Sequence, residues 1–334
     1  MWADRRWLFP AAIVLLFVLA WPLRHVPAAR IVALREARPL LWAQSWHYQL
    51  DNIDVDRLAA TSGDVLVIDY AKAQGKVPLT REDVAHIRSG PDGRERIVLA
   101  YLSVGEAEEY RFYWRPEWKA VPPDWLGEEN CAWPQAYRVR YWLPGWQAIN
   151  FAGPDSYLKR IIGAGFDGVY LDRVDIYETF HKDRPGARED MIAYVENLAH
   201  TAWRFKPGFY IVPQNAEALL SEARYRSSID GLGKESLLYG LQATGTRNKP
   251  ADIAWSKALL ERLRAEDKPV FAVEYLLDKR TMRSAGREVR SYGFVPTFQT
   301  RALDGEDPAA PIVLTTEVGT PERTAKECPP GTSW

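Results

Sequence analysis

Cysteine is nearly missing from this chain: Cys131 and Cys328 are the only two in 334 residues. Two thiols cannot supply a disulfide framework, so the fold has to rest on a hydrophobic core, and a composition that is 47% hydrophobic is enough for one large domain. The five histidines, His25, His47, His86, His181 and His200, lack the paired spacing of a metal site, so no metal and no cofactor are expected. Neither sign of charge is in excess. The formal net charge is −1, which excludes the basic face that nucleic-acid binding requires. No glycine-rich phosphate loop follows the first strand pattern, and no Ser-His-Asp or Cys-His arrangement is present.

Long uncharged runs are also scarce, with one exception near the N-terminus. Arg5 and Arg6 precede an uncharged stretch from Leu8 to Leu23, and Val26-Pro27-Ala28-Ala29 then offers small residues suited to signal peptidase. The run is short for a bilayer core of roughly 30 Å. Residues 1–29 therefore read as an export signal, cleaved or kept as a membrane tether, and either places the body outside the cytoplasm. In such an oxidising compartment Cys131 and Cys328 either pair, tying the tail to the middle of the chain, or stay unpaired.

What the chain does have is a regular alternation of short apolar runs and helical patterns. Eight runs rich in Val, Ile, Leu and Tyr read as strands: Leu40–Trp46, Val65–Ile68, Ile97–Val104, Val169–Leu171, Phe209–Val212, Ile229–Gly233, Val270–Val273 and Phe294–Phe298. Between them, Thr80 with Asp83 forms a capping-box pattern, and Arg188–Phe205 and Ser256–Ala265 carry apolar residues at helical spacing. Eight such units predict an α/β fold, a (β/α)8 TIM barrel over residues 38–303. An eighth helix is missing after Gln299. The pattern from Arg30 to Ala37 covers that flank or the flank stays open, and residues 304–334 read as a flexible tail.

The connection between the third and fourth strands, Ala107 to Phe151, is too long for an ordinary loop and holds Trp114, Trp118, Trp125, Trp133, Trp142 and Trp146. This Trp-rich insertion reads as a flap over the barrel mouth. At least half of its rings are expected to form a small core, leaving the rest free to stack on sugars.

Acidic and polar residues stand where the strands end. Asp172 follows the fourth strand in Gly-Val-Tyr-Leu-Asp, and Asp69, Glu106, Asp175, Glu235 and Glu274 occupy comparable places, with Tyr48, Tyr70, Gln214 and Asn215 beside them. Carboxylates gathered at a barrel's carboxyl mouth raise one another's pKa, leaving one acid protonated beside one ionised, as glycosidic cleavage requires. Asp172 alone also fits a helix cap or a partner of Arg173.

Trp46-His47-Tyr48-Gln49-Leu50, Val67-Ile68-Asp69-Tyr70, Ala100 to Glu108, Gly165 to Asp175 and Lys234-Glu235-Ser236 together resemble glycoside hydrolase family 114, the endo-α-1,4-polygalactosaminidases. The resemblance extends to their extracellular barrel relatives and to the hydrolase domain of Pel polysaccharide enzymes, and spans roughly Leu41 to Arg301. It implies Asp172 and Glu235 as the catalytic pair, with Asp175 a second acid beside Asp172. It also implies a polysaccharide substrate, an amino-sugar polymer of α-1,4-linked galactosamine or N-acetylgalactosamine. Where well-studied members have Asn-Glu, this chain has Lys234-Glu235, and strand alternation is expected to turn Lys234 outward. Tyr48, Asp69, Tyr70, Glu106, Asp175, Gln214, Asn215 and Glu274 are the expected substrate-binding residues. The contrasting readings are a barrel that binds polysaccharide without cutting it and a deacetylase, which would need a histidine-rich metal site.

Overall fold

A computed structural model of the protein describes residues 39–308. The N-terminal run, the pattern from Arg30 to Ala37, Cys328 and the tail beyond 308 lie outside the described residues.

Thirteen strands are described: β1 Trp46–Gln49, β2 Val65–Ile68, β3 Ala71–Lys72, β4 Val77–Pro78, β5 Ile97–Ser103, β6 Glu106–Glu108, β7 Leu126–Glu129, β8 Ala136–Val139, β9 Gly168–Asp172, β10 Tyr210–Pro213, β11 Leu232–Glu235, β12 Val270–Glu274 and β13 Val295–Phe298. Eight of them form two parallel sheets, one in the order β1-β2-β5-β9-β10 and the other β11-β12-β13. The sheets meet at one parallel bridge between Gln214 and Gly233. On the far side Trp46 Nε1 donates to the carbonyl of Val295, linking β1 to β13.

Alternation along these strands divides the core in two. Trp46, Tyr48, Val65, Val67, Leu99, Tyr170, Tyr210, Val212, Phe271 and Val273 pack together on the inner face. Leu66, Ile68, Val98, Ala100, Val169, Leu171, Ile211 and Ala272 join the outer cluster under the helices. The flanking helices are α1 Val55–Ala60, α2 Arg81–Ser89, α3 Tyr157–Gly163, α4 Ala187–Phe205, α5 Pro250–Arg264 and α6 Lys279–Ser291. The Thr80–Asp83 capping box starts α2, and α4 buries Ile192, Val195, Leu198 and Ala202 along one stripe. Within the described residues no helix follows β13.

Two strand expectations change. Leu40 to Trp46 is not a strand: Pro39–Trp42 forms a 3-10 turn and β1 begins at Trp46. Leu40 and Ala43, three residues apart, reach the inner cluster from that turn, so the apolar run is satisfied without a strand. The sixth strand lies later than Ile229–Gly233, because Ile229 belongs to the outer cluster and the ladder runs from Leu232 to Glu235. Glu235 is thus the strand's last residue.

Between β5 and β9 the chain builds a separate antiparallel sheet in the order β6-β8-β7. Its rings pack in series: Trp114 on Tyr137 at 4.8 Å, Trp118 on Trp125 at 5.0 Å, and Trp125 on Trp146 at 5.2 Å. Trp142 meets Phe180 edge-on. Trp146, fully buried, donates to the carbonyl of Val104 and so fastens this layer to the end of β5.

Candidate active site

Asp172 closes β9, in the same side-chain parity as Tyr170 of the inner cluster. Arg173 then turns into the left-handed region at φ 60°, where its backbone N–H donates to Asp172 Oδ1 at 2.7 Å. Gly105 makes this turn possible, since a Cβ there would collide with the Arg173 carbonyl. The other Asp172 oxygen accepts from the Tyr101 hydroxyl at 2.7 Å.

Glu235 closes β11 two strands away, with Gln214 and Asn215 between them at the end of β10. Gln214 Nε2 donates to Asp172 Oδ1 at 3.0 Å and to Glu235 Oε2 at 2.8 Å. Its amide orientation is fixed chemically, because the reverse would aim an oxygen at two carboxylates. Asn215 Nδ2 adds a bond to Glu235 Oε2 at 3.1 Å, while its oxygen accepts from the Glu235 N–H at 3.1 Å. The Tyr275 hydroxyl donates to Glu235 Oε1.

Burial, followed by the charge of Glu235, pushes Asp172 up to about 7, against the opposing pull of Arg173 and the Tyr101 bond. Desolvation thus outweighs Arg173 and the backbone donor at Asp172. The Arg173 guanidinium serves elsewhere, with Nε 3.0 Å from Glu106 and Nη1 3.9 Å from Asp175. Glu106, buried at the start of β6, also accepts from Asn130 at 2.8 Å, and burial raises its pKa. Asp175 remains about a third exposed.

The other expected residues fall into three places. Tyr48 forms the floor: it stacks on Trp46 at 5.9 Å and tilts against Tyr170 at 5.1 Å, and burial and then Asp172 raise its pKa. Asp69 is held to one side, accepting from the Ala71 N–H at 2.8 Å and from buried Arg111 at 2.7 Å, which also pairs with Glu108 at 2.6 Å. Tyr70 and Glu274 do not join the pair. Tyr70 packs outward on Tyr157 and Phe166. Glu274 is fully buried and accepts from the N–H groups of Leu238 and Tyr239, at 2.8 and 3.1 Å, pinning the loop after β11. Burial lifts Glu274 to about 7 despite those two bonds.

Strand parity accounts for both displacements. Val65, Val67 and Asp69 face inward, so Tyr70 cannot; Phe271, Val273 and Tyr275 face inward, so Glu274 cannot. The same count finds the two residues that strand-end reasoning passes over, Tyr101 and Tyr275. Lys234 turns outward as alternation requires, and its Nζ lies 2.9 Å from Glu217.

The chain belongs to glycoside-hydrolase family GH114, whose family model matches residues 32–311. An uncharacterized protein of Deinococcus radiodurans is 38% identical over 275 residues, covering 80% of this chain and 84% of that protein. The glycoside hydrolase domain of PelA from Pseudomonas aeruginosa matches with a TM-score of 0.60 at 22% identity, over 78% of this chain and 96% of that one. A MutB variant crystallised with sucrose matches at a TM-score of 0.52 and 10% identity, over 79% of this chain and 65% of that one. At these identities the two solved structures share the fold.

Proposed function

We propose that this chain is an exported, endo-acting glycoside hydrolase that cuts an amino-sugar polysaccharide, α-1,4-linked galactosamine or its N-acetylated form, with Asp172 and Glu235 as the reacting carboxyls. The observation that carries the reading is the single Gln214 nitrogen shared between them. It supports a pair held close. Two carboxyls bridged by one nitrogen suit a retaining double displacement, for which the groups stand about 5–5.5 Å apart, better than inversion, which needs roughly 6.5–9.5 Å for a water.

In this mechanism Asp172 attacks the anomeric carbon while Glu235, one methylene longer, gives its proton to the departing oxygen. The carbon–oxygen bond breaks as the carbon–Asp172 bond forms. Glu235 then takes a proton from water, whose oxygen displaces Asp172. Tyr101 and the Arg173 N–H hold Asp172 in line, and Tyr275 and Asn215 hold Glu235. The reacting form carries the pair's one proton on Glu235 and leaves Asp172 ionised; the raised pKa of Asp172 supports a single proton on the pair near neutrality. Exposed Glu178 and half-open Asp175 suit a cationic, partly deacetylated polymer.

The same reading takes the two parallel sheets as one closed (β/α)8 barrel over residues 38–303, supported by the Gln214–Gly233 bridge and the Trp46–Val295 bond. It takes the antiparallel layer as a flap beside the mouth, and residues 1–29 as the export signal or tether. The test is incubation of purified protein with defined galactosamine polymers, with products sized and their new anomeric protons followed by NMR. Oligosaccharides released first as the α-anomer are expected. Polymer binding without release would replace the hydrolase by a polysaccharide-binding barrel.

A further inference from the structure

Each reacting carboxyl accepts from one phenol: Asp172 from Tyr101 at 2.7 Å, and Glu235 from Tyr275. Each of these phenol rings has a guanidinium over it. Arg111 stands 5.8 Å from the centre of the Tyr101 ring, and Arg301 stands 4.8 Å from that of Tyr275.

The two cations are held differently. Arg111 is buried and pairs with Asp69 at 2.7 Å and Glu108 at 2.6 Å, so carboxylates answer its charge. Arg301, exposed just after β13, pairs with no carboxylate among the described residues and rests on the Tyr275 ring instead. It reaches toward the loop after β11, where a Cβ on Gly240 would meet its Nη2 at 3.8 Å. That loop is the one Glu274 pins through the N–H groups of Leu238 and Tyr239. Arg301 thus lies across the ends of β11, β12 and β13, on the Glu235 side of the mouth.

A positive charge over a ring face draws electron density from the phenol oxygen and makes its O–H a stronger donor. Burial and then the charge of Glu235 push the Tyr275 hydroxyl up, and Arg301 acts against them. In the mechanism above, Glu235 is neutral when it meets the polymer and gains charge as its proton leaves. A stronger donor on Glu235 therefore stabilises the transition state more than the ground state.

From this we infer that Arg301 is a positioning residue for the reaction, holding the Tyr275 ring in place and strengthening the hydroxyl bond that receives the charge of Glu235 as the leaving oxygen is protonated. The inference rests on the function proposed above and adds to it a residue that acts through Tyr275.

The full chain, Arg301→Gln, Arg301→Lys, Tyr275→Phe and the double variant of Arg301→Gln with Tyr275→Phe are compared by initial rates on α-1,4-galactosamine polymer, with circular dichroism as the control for folding. Arg301→Gln is expected to lower kcat about fivefold to tenfold with KM within about twofold, and Arg301→Lys, which keeps the charge, to recover most of the loss. In the Tyr275→Phe background the same replacement should change kcat by less than about twofold, because the hydroxyl through which Arg301 acts is gone. If the parent cuts polymer and Arg301→Gln has the parent kcat, the inference is refuted and the hydrolase stands. A loss confined to KM, which would make Arg301 a substrate contact, refutes it equally, as does an equal fall in kcat in both backgrounds. A parent that cuts no amino-sugar polymer overturns both readings.

Discussion

Lys234 places its ammonium 2.9 Å from the Glu217 carboxylate beneath the site, with both side chains less than a tenth exposed. Burial pulls Glu217 toward the neutral form, but Lys234 and the Ser256 hydroxyl together hold it below the usual carboxylate range. The same ammonium reaches the Asn215 oxygen at 3.4 Å, so the pair also steadies the amide that bonds Glu235. Lys234→Met leaves a buried charge without a partner and is expected to cost about 3–5 kcal/mol in denaturant unfolding. Adding Glu217→Leu should recover most of that loss. A single variant as stable as the parent would show that water compensates Glu217.

Asp172→Asn and Glu235→Gln are expected to lower polymer cleavage by at least about a hundredfold each, with circular dichroism and polymer binding kept. Cleavage by either variant at the parent rate would remove that residue from the pair.

Gln214→Leu deletes one donor from each carboxylate without adding charge. A fall in kcat of about a hundredfold is expected, with KM little changed, because the bond matters when charge moves between the two groups. A change confined to KM would make Gln214 a substrate contact instead.

Raised carboxyl values carry a defined sign. Between the ordinary aspartate range and about 7, the folded chain holds a proton on Asp172 that the unfolded chain has released, so this group's contribution to stability falls as pH rises through that window and levels off above it. Asp172→Asn removes that loss. Its melting temperature should exceed the parent's by roughly 3 °C or more at pH 8, and by less at pH 4. The pair's proton also leaves near pH 7, so cleavage should decline on the alkaline side of neutrality. Equal melting differences at both pH values would contradict the shift.

Much of the fold is legible as runs of Val, Ile and Leu, and Asp172 and Glu235 stand out because strand-end acids are few in kind and regular in place. Tyr70 and Glu274 mislead because a strand end read as a zone admits residues of either parity. Counting back by twos from Asp69, Asp172, Glu235 and Tyr275 separates the inner face from the outer. The first strand misleads for another reason. A largely apolar stretch such as Leu40–Trp46 satisfies a 3-10 turn as well as a strand, and only the position of the inner cluster decides. The guanidinium of Arg111 depends on side-chain reach, which spacing does not encode.

The Gln214–Gly233 bridge joins two sheets that share no further ladder among the described residues, and Asp172 and Glu235 stand on opposite sides of it. Their separation is thus governed by how two plates abut rather than by the register of a continuous weave. A Cβ on Gly233 would run into Tyr170, the floor ring between the plates. Substitutions around Tyr170 can therefore shim the gap between the carboxyls, giving descendants of this chain a way to adjust the chemistry without altering a single reacting group.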